Sequence, residues 1–219
     1  MAQRNVIQSP MSADEFFLWI ETQEWKHELI DGYPMAMAGT NRTHDDIVAN
    51  LGGSIFPQLR GKPCRPHTAD FAIQVSATNI RYPDYSVDCG KPTGDAKAAD
   101  LPTLVVEVLS KSTKTFDGID KLAEYQSIQS MKYILLVDQD TPSVRFYERD
   151  KEDKWIKHSI IGLSSKIEMP AIGVSIKLEE LYDGIQFHEM PEPAEVCKIC
   201  GAHPCVCDKS KPGRTGLVI

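Results

Sequence analysis

Long apolar runs are missing from this sequence. No stretch approaches the roughly 18 consecutive apolar residues of a membrane-spanning helix. The opening residues, MAQRNVIQSPMSADEF, hold no apolar core of signal-peptide length. The expected compartment is therefore the cytoplasm, with no membrane partner. Positive charge is scarce too: 24 Lys and Arg against 31 Asp and Glu leave the 219-residue chain at −7. This argues against a general cationic coat for nucleic acid, although a local basic site stays open, and an acidic metal site would itself add negative charge. Three catalytic signatures are absent: the HExxH zinc helix, the Gly-rich loop ending in Lys-Ser/Thr that cradles phosphates, and GxSxG. Cysteine is rare before the last thirty or so residues, where only Cys64 and Cys89 occur. These two read as isolated, buried structural thiols.

What is present suits a soluble globular chain, with 42% hydrophobic and 25% charged residues. Residues 12–21 predict a helix, with Ser12 as N-cap, Glu15 in the capping-box position and an apolar face of Phe16, Phe17 and Ile20. HELIDGYPMAM, from His27, predicts a hairpin turning at Asp31-Gly32. Thr43, with Asp46 three residues on, is the expected cap of a second helix whose Ile47, Leu51, Ile55 and Leu59 recur every four residues. Pro57 predicts an early or distorted end to it. Phe71, Ile73 and Val75 alternate as a strand, RYPDYSVDC follows as another, and LPTLVVEVL reads as a strand buried on both faces. Residues 116–128 predict a helix and KYILLVD a further buried strand. SVRFYER is read as an edge strand, with WIKHSII and residues 173–176 closing the sheet and residues 178–181 forming a short helix. The order predicts an α/β (α+β) fold, a central mixed sheet flanked by helices, over residues 11–185.

After Ile185 the periodic apolar faces stop. The segment 191–219 is rich in Pro, Gly and Cys and carries +1, leaving −8 on the remainder. Cys197, Cys200, Cys205 and Cys207 follow the spacing CxxC, four residues, CxC. Four thiolates so close can wrap one tetrahedral Zn²⁺, with His203 as a substitute ligand. The plainer alternative is a flexible tail with reactive thiols.

Glu107 is the residue that asks for chemistry. It sits among Leu104, Val105, Val106, Val108 and Leu109, and an unpaired buried carboxylate costs several kcal/mol. Pairing with Arg or Lys would offset this, as would a place at a solvent-facing strand end. Asp84 lies on the preceding strand-like segment, about a dozen residues of loop away. Two such carboxylates remain ionised together when a divalent cation lies between them. Two carboxylates with waters suit Mg²⁺, and hydrolysis of a phosphodiester needs such an ion together with a nearby cation such as Lys.

An Asp, a Glu inside an apolar strand and then a Lys resembles the PD-(D/E)XK nuclease superfamily. The phrases His27-Glu28-Leu29-Ile30-Asp31-Gly32, Arg81-Tyr82-Pro83-Asp84, Val105-Val106-Glu107-Val108-Leu109-Ser110, Ser112-Thr113 and residues 121–125 resemble the Uma2 family (DUF820) of putative restriction endonucleases. The resemblance covers roughly residues 11–185 and implies a restriction-endonuclease-like fold. One departure stands out: the superfamily lysine two residues after the Glu is Leu109 here. The family resembles members whose lysine has moved to the following helix, which makes Lys121 the matching candidate and Lys111 the fallback. The resemblance also implies Glu28 as a metal-assisting acid, against a plainer pairing with Lys26, and His44 at the cleft, against a local helix-start hydrogen bond. Arg81 either contacts phosphate or pairs with Asp84, and Ser110 and Tyr125 either support the cleft or pack. Asp31 reads as turn chemistry.

Together these imply a metal-dependent endonuclease acting on DNA. Asp84, Glu107 and Glu28 would hold Mg²⁺ or Mn²⁺, Lys121 would orient water, and Lys62, Arg65, Arg81, Lys91 and Lys97 would form a basic rim. Two-strand cutting by a pair of sites makes a homodimer the expected assembly. The competing readings are a catalytically idle nuclease-fold protein that binds partners or DNA through a zinc tail, and a small-molecule metal hydrolase.

Overall fold

In the computed structural model, residues 9–91, 93–110 and 117–187 are described; Lys111 and the four tail cysteines of the zinc expectation lie outside them. The chain divides into two units, Met1–Ile185 and Gln186–Ile219. The elements of the first are α1 (Ala13–Trp19) with a 3-10 turn at Ile20–Thr22, β1 (His27–Ile30), β2 (Tyr33–Ala36), α2 (Arg42–Leu59), β3 (Arg65–Thr68), β4 (Ile73–Gln74), β5 (Ile80–Arg81), β6 (Tyr85–Asp88), β7 (Pro102–Leu109), α3 (Asp117–Ser127), β8 (Tyr133–Asp138), β9 (Ser143–Arg149), β10 (Trp155–Ile161), β11 (Lys166–Met169), β12 (Val174–Lys177) and α4 (Leu178–Leu181).

Local chemistry accounts for most boundaries. Ser12 and Glu15 exchange both bonds of a capping box. Asp31 (φ 50°) and Gly32 (φ 83°) turn the β1–β2 hairpin, and a Cβ on Gly32 would lie 2.5 Å from that of Pro10. The cap of α2 is Asn41 rather than Thr43: its side chain accepts the His44 N–H at 3.0 Å, and the helix begins one residue before the expected cap. Asn is at least as good an acceptor here as Thr, so the asparagine takes the position. Ile47, Leu51, Ile55 and Leu59 form the buried stripe of α2.

A six-stranded sheet in the order β10-β9-β8-β7-β6-β3 is the centre of the fold, and a four-stranded sheet, β2-β1-β5-β4, stands apart from it. β7 and β8 run parallel and the other pairings of the large sheet are antiparallel, which makes it mixed. Both β7 and β8 are buried almost throughout, as their unbroken apolar runs require. β9 lies inside the sheet, not at its edge; WIKHSII, as β10, is the edge strand. Alternation in SVRFYER reports one solvated face and says nothing about neighbours. Residues 173–176 do not close this sheet either, because among the described residues β12 pairs with β11 alone. The expected strand around Phe71–Val75 shrinks to β4.

RYPDYSVDC does not form one strand. Pro83 offers no N–H, and the chain leaves β5 in the small sheet to enter β6 in the large one across Tyr82–Asp84. Arg81 and Asp84 therefore end on different sheets. Cys64 and Cys89 are not isolated thiols: they form a disulfide beside the Arg65–Asp88 pair of β3 and β6.

Candidate active site

The seam between the two sheets collects the polar groups. The β6–β7 register sets Tyr85 opposite Val106, so the next position back, Asp84, faces Glu107. One oxygen of Asp84, Oδ2, accepts the Val108 N–H at 2.7 Å and lies 3.0 Å from Nε2 of His44. His44 reaches it from the first turn of α2, where the Asn41 cap fixes its backbone. Burial pulls the His44 imidazole pKa down, but the hydrogen bond and charge of Asp84 outweigh this and raise it overall.

Glu107 is 7% exposed, and its Oε1 accepts the Tyr125 hydroxyl at 2.6 Å. Burial pushes its carboxyl up to about 7, with Lys121 opposing and Asp84 adding to the rise. The Lys121 ammonium lies 3.5 Å from the same oxygen and donates to Glu28 Oε1 at 3.0 Å. Burial disfavours this ammonium, yet the charges of Glu107 and Glu28 hold its pKa above the usual lysine range. Glu28 also accepts the Tyr82 N–H at 3.2 Å and Arg81 at 3.0 Å. Lys26, its alternative partner from the sequence, pairs with Asp70 instead.

Arg81 neither touches Asp84 nor stands open to phosphate. Only 4% exposed, it grips Glu124 through Nε (2.6 Å) and Nη2 (2.8 Å) and Glu28 through Nη1 (3.0 Å). Asn79 completes the clamp by donating to Glu124 Oε1 at 2.8 Å. Glu124 and Asn79 were missed from the sequence. The signal for Glu124 was its place three residues after Lys121 and one before Tyr125, which puts all three along one side of α3.

Glu28, Asp84, Glu107, Lys121, His44 and Tyr125 thus meet at one place, drawn from β1, the β5–β6 link, β7, α3 and α2. The expected basic rim does not assemble. Arg81 is buried in the clamp, Lys62 donates to the Gly173 carbonyl and Lys97 pairs with Glu21. Arg65 and Lys91 line a separate cavity with Cys89 and Asp100.

Among the described residues, no three His, Cys, Asp or Glu groups form a ready-made metal cage. The carboxylate oxygens of Asp84 and Glu107 are of the hard donor type that a hard cation takes. Burial above all, and then the nearby charge of Asp84, opposes ionisation of Glu107, and Mg²⁺ commonly takes one or two carboxylates and keeps several waters. A divalent cation beside Asp84 and Glu107 would favour the ionised form of Glu107 that burial opposes.

A model of the Uma2 family, described as "Putative restriction endonuclease", matches residues 13–179. The uncharacterized protein slr1290 of Synechocystis sp. is 31% identical over 179 residues, covering 81% of this chain and 94% of its own length. A second uncharacterized protein of that organism, sll1609, is 25% identical over 162 residues, covering 72% of this chain and 92% of its own. Among solved structures, a putative nuclease belonging to DUF820 from Anabaena variabilis shares the fold with a TM-score of 0.63 at 16% identity, covering 79% of this chain and 98% of its own.

Proposed function

This chain belongs to the Uma2 family of putative restriction endonucleases, and from that membership we propose that it is a divalent-metal-dependent endonuclease that hydrolyses DNA phosphodiester bonds. One observation carries the reading: Asp84 accepts the Val108 N–H next to Glu107 and its charge adds to the rise that burial gives the Glu107 pKa, while Lys121 spans Glu107 and Glu28. Asp84 and Glu107 would hold Mg²⁺ or Mn²⁺, with Glu28 assisting. The bound ion would neutralise phosphate charge and lower the pKa of a coordinated water.

The remaining roles belong to the chain itself. Lys121 stays protonated, because its pKa is raised. It therefore acts as a hydrogen-bond donor and not as a base. It orients the attacking water and stabilises charge developing on the phosphate. His44 and the Val108 N–H fix the Asp84 carboxylate, and the Tyr125 hydroxyl fixes that of Glu107. Arg81 holds Glu28 in place and is itself held by Glu124.

Supercoiled plasmid and labelled oligonucleotides, incubated with Mg²⁺ or Mn²⁺ and with chelator, test the proposal. The expected result is metal-dependent nicking, lost in Asp84→Asn and Lys121→Gln with melting still cooperative. Equal activity in all three proteins, or none on DNA or RNA, overturns it. A second reading, a nuclease fold that binds without cutting, is favoured by the charge of −7 and by the diversion of Lys62 and Lys97 into structural bonds. The inactive outcome would support it.

A further inference from the structure

Two arginines on β9 differ in what they do. Arg149 is consumed by structure: its guanidinium donates to the carbonyls of Gln126, Ile128 and Gln129 and lies over the Trp155 ring. Arg145 is half-buried, and no hydrogen bond or ion pair engages its guanidinium among the described residues. It lines a cavity of about 300 Å³ with Leu109, Leu136, Asp138 and Ser143. A half-buried guanidinium that no hydrogen bond or ion pair engages loses hydration without recompense, so an anion entering the cavity would be welcome there, although Asp138 shares the lining.

The register relates this cavity to the carboxylates. Glu107 pairs with Leu136, and Leu136 pairs with Arg145. Residues paired across a sheet point to the same face, so Glu107 and Arg145 share a face, with the buried Leu136 between them, and a nucleic-acid strand reaching both would pass around the part that α3 covers. Two strand spacings separate their backbones by about 10 Å, roughly three base steps of rise along a nucleic-acid strand. Among the described residues Asp138 is the carboxylate that lines the cavity, and its Oδ1 is drawn into the β8–β9 turn by the N–H groups of Asp140 and Thr141.

We propose that Arg145 is a subsite for a backbone phosphate of the DNA strand, a few nucleotides from the bond held at Asp84 and Glu107. The inference rests on the endonuclease reading and deepens it. A planar guanidinium matches a phosphate through two parallel hydrogen bonds. It also supplies part of the positive charge that the missing basic rim does not.

The test is binding, read apart from cleavage. In a full-length Glu107→Gln background with Mg²⁺, a short fluorescent duplex is titrated by anisotropy across a salt series. Arg145→Gln should weaken binding roughly tenfold and lower the log–log salt slope by about 1. Arg145→Lys should keep the slope and recover only part of the affinity. Unchanged affinity and slope in Arg145→Gln, while the wild-type chain still nicks DNA, overturn the subsite alone. Loss of binding in Arg145→Gln from a chain that nicks nothing supports the subsite and sinks the nuclease reading. A Glu107→Gln chain that binds no duplex overturns the subsite.

Discussion

The ammonium of Lys121 lies 3.5 Å from Glu107 Oε1, although it comes from the helix after the strand that carries Glu107. The position two residues after Glu107, where the PD-(D/E)XK resemblance expects a lysine, is Leu109, which packs with Tyr125 and Met131 in the core. A side chain two along the strand points to the same face, and α3 covers that face. The helix supplies the cation from above, so the strand can use the position for packing.

Lys121→Met follows directly. Removing the ammonium leaves Glu107 with the Tyr125 hydroxyl as its remaining partner and Glu28 with Arg81 and the Tyr82 N–H, at a cost of about 3 kcal/mol for the broken buried pair. Nicking should fall by about a hundredfold or more. The loss of melting temperature should be greater at pH 8, above the Glu107 pKa of about 7, than at pH 5, where that carboxyl is protonated. A scanning-calorimetry series at the two pH values reads the difference.

Glu107→Gln should stabilise the metal-free protein while destroying activity. The folded pKa of Glu107 is about 7, above the ordinary value of 4.5. Between these values the folded state binds more protons than the unfolded one, so this carboxyl makes stability fall as pH rises from about 4.5 through 7. The glutamine can still accept the Tyr125 hydroxyl and does not titrate. The melting temperature of the wild type should drop relative to the variant over that window, by about 5 °C or more at pH 8. Parallel pH profiles would contradict the burial argument. Saturating Mg²⁺ should close part of the gap by stabilising the wild type alone.

Arg81→Lys tests the clamp behind Glu28. Lysine keeps the charge but cannot bond Glu124 through two nitrogens while reaching Glu28 with a third. Stability should fall by about 2 kcal/mol. Cleavage should fall more than tenfold, recoverable in part at high Mg²⁺ if Glu28 is only misplaced. Glu124→Gln should show a milder version of the same pattern. Full activity in both would show that the orientation of Glu28 is irrelevant to turnover.

Elements with one dominant local cause were legible in the sequence. The Ser12–Glu15 capping box, the Asp31-Gly32 turn, the four-residue stripe of α2 and the unbroken apolar runs of β7 and β8 each state their structure in adjacent residues. The nearness of Asp84 to Glu107 was inferable because a loop of about a dozen residues is long enough to return the chain alongside itself. What failed was neighbour choice. Alternation in β9 marks a face, so its interior place was hidden, and the same holds for the pairing of β12 with β11. Arg81 was misjudged because Pro83 moves the chain between sheets within three residues. Its partners Glu28 and Glu124 are distant in sequence, and only the folded register brings them near.

Cys64 and Cys89 show the same blindness to register and give the last prediction. The β3–β6 pairing sets Arg65 opposite Asp88, so the flanking positions 64 and 89 meet, and the two sulfurs bond. β3 is the outer strand of the large sheet and pairs there only with β6, so the crosslink secures an edge that backbone bonds hold on one side alone. Closing a loop with a sequence separation of 25 lowers the entropy of the unfolded chain by an amount equivalent to about 3 kcal/mol. Cys64→Ser with Cys89→Ser should lower the melting temperature by about 6–12 °C. Reductant should destabilise the wild type by a similar amount and leave the double variant unchanged. Because the bridge lies at the far end of β6 from Asp84, plasmid nicking at a temperature well below both transitions should be equal in the two proteins. A wild type whose melting ignores reductant would show that the edge is held by β6 and α2 without the crosslink.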